Sequence, residues 1–554
     1  MERLSVANSV SLSYNLCVDF PEIGRRSSIL VVALACAACI AGLPQAQPSQ
    51  DVSADRERQI VEVQRQIESR NWTEANRLLA EAAMRFPSDP GFDNLRGVIA
   101  AQEGDFVTAE KYFRDAVKRA PKLTAAYLNL GRLYQEDVAA DSHARDKALG
   151  IYERVLAYDP SNAEARYQSS VLLLGQGKYQ RSLEQLSSLP PETQASAQGL
   201  SILCADHAAL GHQQSAAEAA ARLRVSVDFS ELDAEQALPG LVAGNRNDLI
   251  ISLFEELQIR QSLSPSSLHT LALAYERAKK LTESRAALEK YVTGGNLSVP
   301  ALLELARVAH EQRDYQGSLG YLAHARDLEP SNASLHYDFG LVCLDLNLVA
   351  EARNSFAKAV TLDPENAAYN YVMGAASAFR QDPAEAVPYF QKYREYRPDD
   401  PRGPLALGVV YFRAKDYISA APLLKEAAAN SETAAQAHYY LGSIALQESR
   451  LDDARGELVL ALRAQPSNAD ALAQMGNYYL LRKNYAAAEP TIRRALQVDP
   501  DHYSANFYLL TLYTRTGDAR REAQAKRFKT LKTALAERAQ ELLRIVEVQP
   551  FETP

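Results

Sequence analysis

The sequence predicts an all-α fold, a solenoid of stacked helix pairs closed by a helix at its C-terminal end. Three observations carry this. Pro330, Pro364, Pro398, Pro466 and Pro500 stand on one lattice of 34 residues, with Glu432 at the vacant node. Gly340, Gly374, Gly408, Gly442 and Gly476 keep that period, as do Ala352, Ala386, Ala420, Ala454 and Ala488. The 554 residues are 47% hydrophobic and 23% charged, the balance of a soluble globular chain. That excludes a polytopic membrane protein, a collagen and a wholly disordered polypeptide.

Within each period two amphipathic helices fit. Counting from the start of a unit, apolar residues at positions 4, 7, 8 and 11 fall on one face of a first helix. Glycine or alanine at position 8, and alanine at position 20 of the second helix, let neighbouring helices approach closely. Proline at position 32 ends the second helix, because it cannot continue the backbone ladder and constrains the residue before it. Asn162, Asn332, Asn366 and Asn468 follow as N-caps. One helix pair cannot bury its apolar face alone; stacked neighbours can, so the units form a continuous core.

Taken in order, residues 1–50 read as a signal peptide or membrane tether with its linker. Arg25-Arg26 precede the apolar run SSILVVALACAACIAGL at 27–43, which is short for a membrane span. Residues 56–190 form a first array, with Pro87/Pro121, Gly97/Gly131 and Ala75/Ala109 in phase. Between Tyr134 and Ala148 five extra residues extend one turn into an exposed loop. Residues 191–264 keep helical character but lose most lattice marks; they are degenerate repeats in register or a hinge. Residues 265–517 form a second array. From 518 to 548 the stripe Phe528, Leu531, Leu535, Leu542 and Ile545 predicts a helix that covers the last unit. Seven basic residues against two acidic ones lie between Arg515 and Lys532.

The aromatic usage, 28 Tyr against one Trp, follows from the same lattice. Tyr134, Tyr275, Tyr411, Tyr479 and Tyr513 occupy position 11. Tyr179, Tyr315, Tyr417 and Tyr485 occupy position 17, where Phe106 and Trp72 stand in other units. All are expected to pack.

Little in the chain reads as chemistry. The net charge of −9, from 60 basic and 69 acidic side chains, argues against nucleic acid as a partner. Five cysteines make no disulfide scaffold. Cys204 and Cys343 lie several units apart, and Cys343 reads as a small buried hydrophobe. No phosphate-binding loop, dinucleotide fingerprint or nucleophile elbow occurs. The histidines show no metal spacing: His207 and His212 are expected on different helix faces, and His310, His324 and His336 have no second ligand nearby in sequence. No catalytic residue, metal ligand or cofactor is assigned.

The lattice resembles the tetratricopeptide (TPR) repeat family. Leu407-Gly408, Tyr411, Tyr417, Ala420 and Leu424 fall on that family's fixed positions. Leu441-Gly442, Ala454, Ala461 and Pro466 do so in the next unit, and Met475-Gly476, Tyr479, Tyr485, Ala488, Ala495 and Pro500 in the one after. The resemblance implies a right-handed superhelical solenoid whose first helices line a concave groove for extended or helical peptide segments. The groove residues it points to are Tyr337, Tyr371, Phe379, Phe412, Arg413, Tyr439 and Phe507, with Asp338, Asp345, Asp470 and Glu304 making the surface mixed rather than basic. The family's carboxylate clamp is not matched, since only Arg402 and Asn477 are scattered over its places. The implied function is a non-catalytic protein–protein interaction scaffold; the signal-like segment at 25–43 adds the expectation of an exported bacterial protein, periplasmic or envelope-associated. The alternatives are a subunit of an envelope assembly or polysaccharide-export system, and a cytoplasmic regulator if the N-terminus is no signal.

Overall fold

The computed structural model describes residues 50–136, 143–379 and 383–537. Among them are helices alone, with no strand. They come in consecutive pairs: α1 Gln50–Glu68 and α2 Trp72–Arg85, α3 Pro90–Gln102 and α4 Phe106–Arg119, α5 Thr124–Glu136 and α6 Ala144–Tyr158, α7 Ala163–Gly175 and α8 Tyr179–Ser187. After the short α9 Pro191–Ala195 follow α10 Ala197–Ala209 and α11 Gln213–Val225, α12 Glu231–Ala243 and α13 Asn247–Arg260, α14 Pro265–Arg277 and α15 Leu281–Thr293. Next are α16 Val299–Glu311 and α17 Tyr315–Leu328, α18 Ala333–Asp345 and α19 Val349–Leu362, α20 Ala367–Phe379 and α21 Pro383–Tyr396. The series closes with α22 Arg402–Arg413 and α23 Tyr417–Ala428, α24 Ala434–Gln447 and α25 Leu451–Ala464, α26 Ala469–Leu481 and α27 Tyr485–Val498, α28 Tyr503–Thr516 and α29 Arg521–Glu537.

The first helices α7, α10, α12, α14, α16, α18 and α20 begin 34 residues apart, so the spacing runs through residues 191–264 without a break. From α5 to α7 it is 39, which holds the five extra residues. Most of that loop, residues 137–142, lies outside the described residues, as do the N-terminal segment and the part of the C-terminal stripe beyond Glu537. The chain divides into two compact units, one ending at Ala287 and one beginning at Leu288. Each is built on the same local rules.

The capping expectation holds: the Asn162, Asn332, Asn366 and Asn468 side chains each accept a backbone N–H from the first turn of the following helix. Glycine at position 8 makes room for the side chain at position 24 of its own unit. A Cβ on Gly97 would meet the Phe113 ring at 2.5 Å, on Gly131 the Tyr152 ring at 2.6 Å, and on Gly408 the Leu424 side chain at 2.8 Å. Where position 8 is alanine, as at Ala306, the facing side chain is the branched but thinner Leu322.

Position 15, between the helices of a pair, is left-handed. Arg70, Gly104, Gly177, Asn245, Arg313, Lys415 and Lys483 all have φ between 53° and 81°. The residue after each donates its N–H to the carbonyl five positions back, as Lys178 to Leu173 (2.9 Å) and Arg246 to Leu241 (2.8 Å). This closure satisfies carbonyls that a helix end would otherwise orphan.

Position 4 departs from the expected apolar stripe. Arg166, His336, Asn370 and Asn506 stand there, and each places a side-chain nitrogen 2.7–3.1 Å from the carbonyl of the proline six residues earlier. These hooks tie each first helix to the preceding turn, so a polar residue is satisfied within the stack. Tyrosines at position 11 make a second tie. The Tyr134 hydroxyl donates to Glu110 at 2.7 Å, that of Tyr275 to Glu255 at 2.8 Å, and that of Tyr513 accepts from Arg493 at 2.7 Å. All three partners lie on the preceding unit's second helix. The rings bury, the hydroxyls staple one unit to the last, and burial raises the phenol pKa in all three.

Candidate functional site: the first-helix face of the second unit

Within the second unit, first helices of successive pairs touch one another: α22 with α24, α24 with α26, α26 with α28. Each second helix instead packs on its own partner and on the next first helix. The first helices therefore crowd on the inner side of the stack.

The predicted groove residues differ in how far they reach solvent. Tyr337 and Tyr371, at position 5, are 6% and 5% exposed. The Tyr337 ring packs on Tyr369 (5.2 Å between centroids) and Phe356 (6.2 Å); Tyr371 packs on Tyr393 (4.8 Å) and Phe390 (5.5 Å). Both are wedges between helices, and the structure gives them packing rather than a binding surface. Phe379 ends α20, and its side chain lies outside the described ones.

The others come together further along. Phe412 is partly exposed and lies 5.0 Å from Tyr440 and 5.8 Å from Tyr417. Tyr439 is half-buried, 4.8 Å from Tyr440. Burial raises its phenol pKa and lowers that of the Arg413 guanidinium beside Tyr440. An Arg held partly dry beside aromatic rings is suited to donate two parallel hydrogen bonds to a partner's carboxylate or to stack on its aromatic face. Phe507 is 46% exposed. It packs on Phe528 of α29 at 5.6 Å, and Phe528 also meets Tyr503 at 5.0 Å. The closing helix is locked by Gln524, whose amide donates to the Asn506 carbonyl (3.1 Å) and side-chain oxygen (3.0 Å).

Neutral amides lie among these aromatics. Tyr508 donates to Gln474 at 3.4 Å, and Asn477 lies 3.4 Å from the same Gln474 oxygen. Leu481 is 45% exposed at the end of α26. Gln474, Tyr508, Leu481 and Phe528 were not among the groove residues the sequence pointed to: Gln474 and Tyr508 stand at position 6, off the groove stripe, Phe528 lies on the closing helix, and Leu481, though at position 13 like Arg413, is aliphatic rather than aromatic or basic. Charge is mixed, as expected. Asp470 faces the His502 Nε2 at 3.0 Å and Asp345 the His310 Nε2 at 2.8 Å. Burial pushes the Asp338 carboxyl up to about 6.

Of the basic residues between Arg515 and Lys532, three are structural. Arg520 pairs with Glu489 (2.7 Å) and Asp518 (2.6 Å), Arg527 donates to the Pro500 carbonyl (2.7 Å), and Arg515 to that of Leu480 (3.1 Å). Arg521, Lys526, Lys529 and Lys532 are exposed. Cys204 and Cys343 are buried free thiols, pushed up to about 12 and about 11 by burial. Among the described residues no three metal-ligating side chains converge, and no helix is long and apolar enough to cross a membrane.

One tetratricopeptide repeat family model matches residues 61–124, 303–367, 371–435, 405–469 and 474–526, together more than half of the chain, and a second matches 139–203. The chain belongs to the tetratricopeptide repeat family. A human relative, trafficking protein particle complex subunit 12, is 35% identical over 104 residues; the match spans 17% of this chain and 13% of that protein. Solved structures similar to this TPR chain include yeast Tom70, at 16% identity and TM-score 0.36, covering 82% of this chain and 95% of that one. Cut9–Hcn1 of an APC/C hetero-tetramer is 15% identical with TM-score 0.35, covering 83% and 97%. The C-terminal part of a TPR protein from Cytophaga hutchinsonii is 15% identical with TM-score 0.37, covering 42% and 96%.

Proposed function

We propose that this TPR chain is a non-catalytic scaffold that binds partner polypeptides on the first-helix face of its second unit. The observation that carries the reading is the partly exposed series Phe412, Arg413, Tyr439 and Phe507, set among the amides Gln474 and Asn477 on consecutive first helices. Aromatic anchors with an arginine are the residue types that dominate binding energy, and amides can pair with the backbone of an extended segment. The reading includes export: the apolar run at 27–43 behind Arg25-Arg26 supports delivery to a bacterial periplasm or envelope, with the N-terminus as a signal or tether. A subunit role in an envelope assembly or polysaccharide-export system is a narrower form of the same scaffold.

The test is affinity capture from envelope and cytosolic fractions with the wild type and with F412A, Y439A and F507A. Reproducible partners that are lost in the variants while helicity is retained support the proposal. Partners retained by all three variants would place binding elsewhere. N-terminal sequencing with cell fractionation decides export: a start near Val52, or an intact Met1 in the membrane fraction, supports it, and an intact Met1 in the soluble cytosolic fraction overturns it.

A further inference from the structure

The left-handed turn at position 15 brings positions 11 and 16 of a unit together. In α14 and α15 the pair is Tyr275 and Lys280, whose ammonium lies 5.8 Å from the ring centroid. In α10 and α11 the pair is His207 and His212. Gly211 has φ +77°, and the His212 N–H donates to the His207 carbonyl at 2.8 Å. The expectation that these two residues, five apart, lie on different faces therefore fails. It assumed one continuous helix, and the turn folds the second ring back onto the first. Their Nδ1 atoms are 3.1 Å apart and their ring centroids 5.4 Å.

We propose that His207 and His212 form a two-histidine clamp for a divalent transition ion of the zinc class, with water completing the coordination. Imidazole nitrogens bind Zn²⁺ at about 2.0–2.1 Å. Two such bonds spanning 3.1 Å make an angle of about 100° at the metal, between octahedral and tetrahedral geometry. The turn is fixed by backbone, so little ordering remains to be done on binding. His212 is exposed and His207 partly buried, which leaves room for water ligands on one side. One of the two Nδ1 atoms carries the proton of this contact, so binding requires that ring to take its Nε2–H tautomer and free the second lone pair. The adjacent cation, Arg246, is already held by Asp248 (2.8 and 2.7 Å) and by the Gln213 carbonyl (3.1 Å).

Calorimetric titration of the tag-free full chain with ZnCl₂ tests this, using wild type, H207N, H212N and the control H310Q. The expected result is one equivalent bound per chain near pH 7.5, weakened by roughly tenfold or more in H207N and H212N and unchanged in H310Q. H212N alters an exposed side chain, so its fold is checked by circular dichroism, and it carries the test if H207N does not fold. No saturable Zn²⁺ uptake by the wild type overturns the clamp. So does uptake that H212N leaves intact, and loss in H310Q assigns the ion to the His310–Asp345 pair instead.

Discussion

Gly97→Ala probes the contact that sets the distance between the helices of a pair. A Cβ there would lie 2.5 Å from Phe113 Cε1 and 2.6 Å from Cδ1. Unbonded carbons rest at about 3.5–4.0 Å, so the overlap is roughly 1 Å. Phe113 is 2% exposed and Gly97 is buried, so neither side moves freely. Overpacking of this kind costs about 1–3 kcal/mol. A second change should remove the clash: Ala306 against Leu322 shows that alanine at position 8 tolerates leucine at position 24. G97A/F113L is therefore expected to be more stable than the two single costs would add to, with a coupling of about 1–3 kcal/mol. Hydrogen exchange of the peptides from α3 and α4 is the assay, since a repeat array need not unfold in one step. Unchanged exchange in G97A, or strict additivity in the double variant, would refute the packing argument.

Other expectations follow from single features. Asp206 is fully buried, its carboxyl oxygens lack a hydrogen-bond partner, and burial pushes it up to about 7 from 3.8. Its unfolded form ionises first, so it destabilises the fold progressively as pH rises from about 4 to 7, by a few kcal/mol in all. D206N should flatten that slope and stabilise the chain at pH 8, read by denaturation across pH; equal slopes contradict it. Lys483 is held at φ 54°. A left-handed residue costs roughly 1–2 kcal/mol, part of which glycine's entropy takes back, so K483G should gain about 0.5 kcal/mol while K483V loses more than that, by thermal melts. His502 caps α28 by accepting the Ala505 N–H on Nδ1 at 3.1 Å while its Nε2 faces Asp470. H502A should lose about 1 kcal/mol and H502N should keep most of it, seen as exchange at the start of α28.

The lattice was legible because its marks answer steric demands. Position 8 faces a ring or branched chain at contact distance, and position 32 must stop a helix. The left-handed position 15 was not legible, since Arg70, Lys415 and Lys483 fill a place that glycine would advertise. Nor were the position-4 hooks, because Arg166 and Asn370 look like solvent-facing residues until the proline carbonyl beside them is seen. In residues 191–264 the marks fade for a local reason. There the close approach is made by Gly240 and Gly244, at positions 10 and 14, against the backbone of Ala205 and Ala208 in the neighbouring first helix. In the groove, one residue type served two ends. Tyrosine at position 5 packs in α18 and α20 and is partly open in α24: the α19 and α21 rings Phe356, Phe390 and Tyr393 receive the first two, whereas Tyr439 meets its neighbour Tyr440, and no single position encodes that difference.

The central claim, partner binding on the first-helix face, is tested most directly by site-specific photo-crosslinking in cells. A crosslinking residue is placed at Phe412, Tyr439 or Phe507, and in parallel at the exposed second-helix residues Ile418 and Val459. The account predicts a shared polypeptide adduct from the first three positions and none from the last two. Adducts from Ile418 or Val459 alone would contradict it.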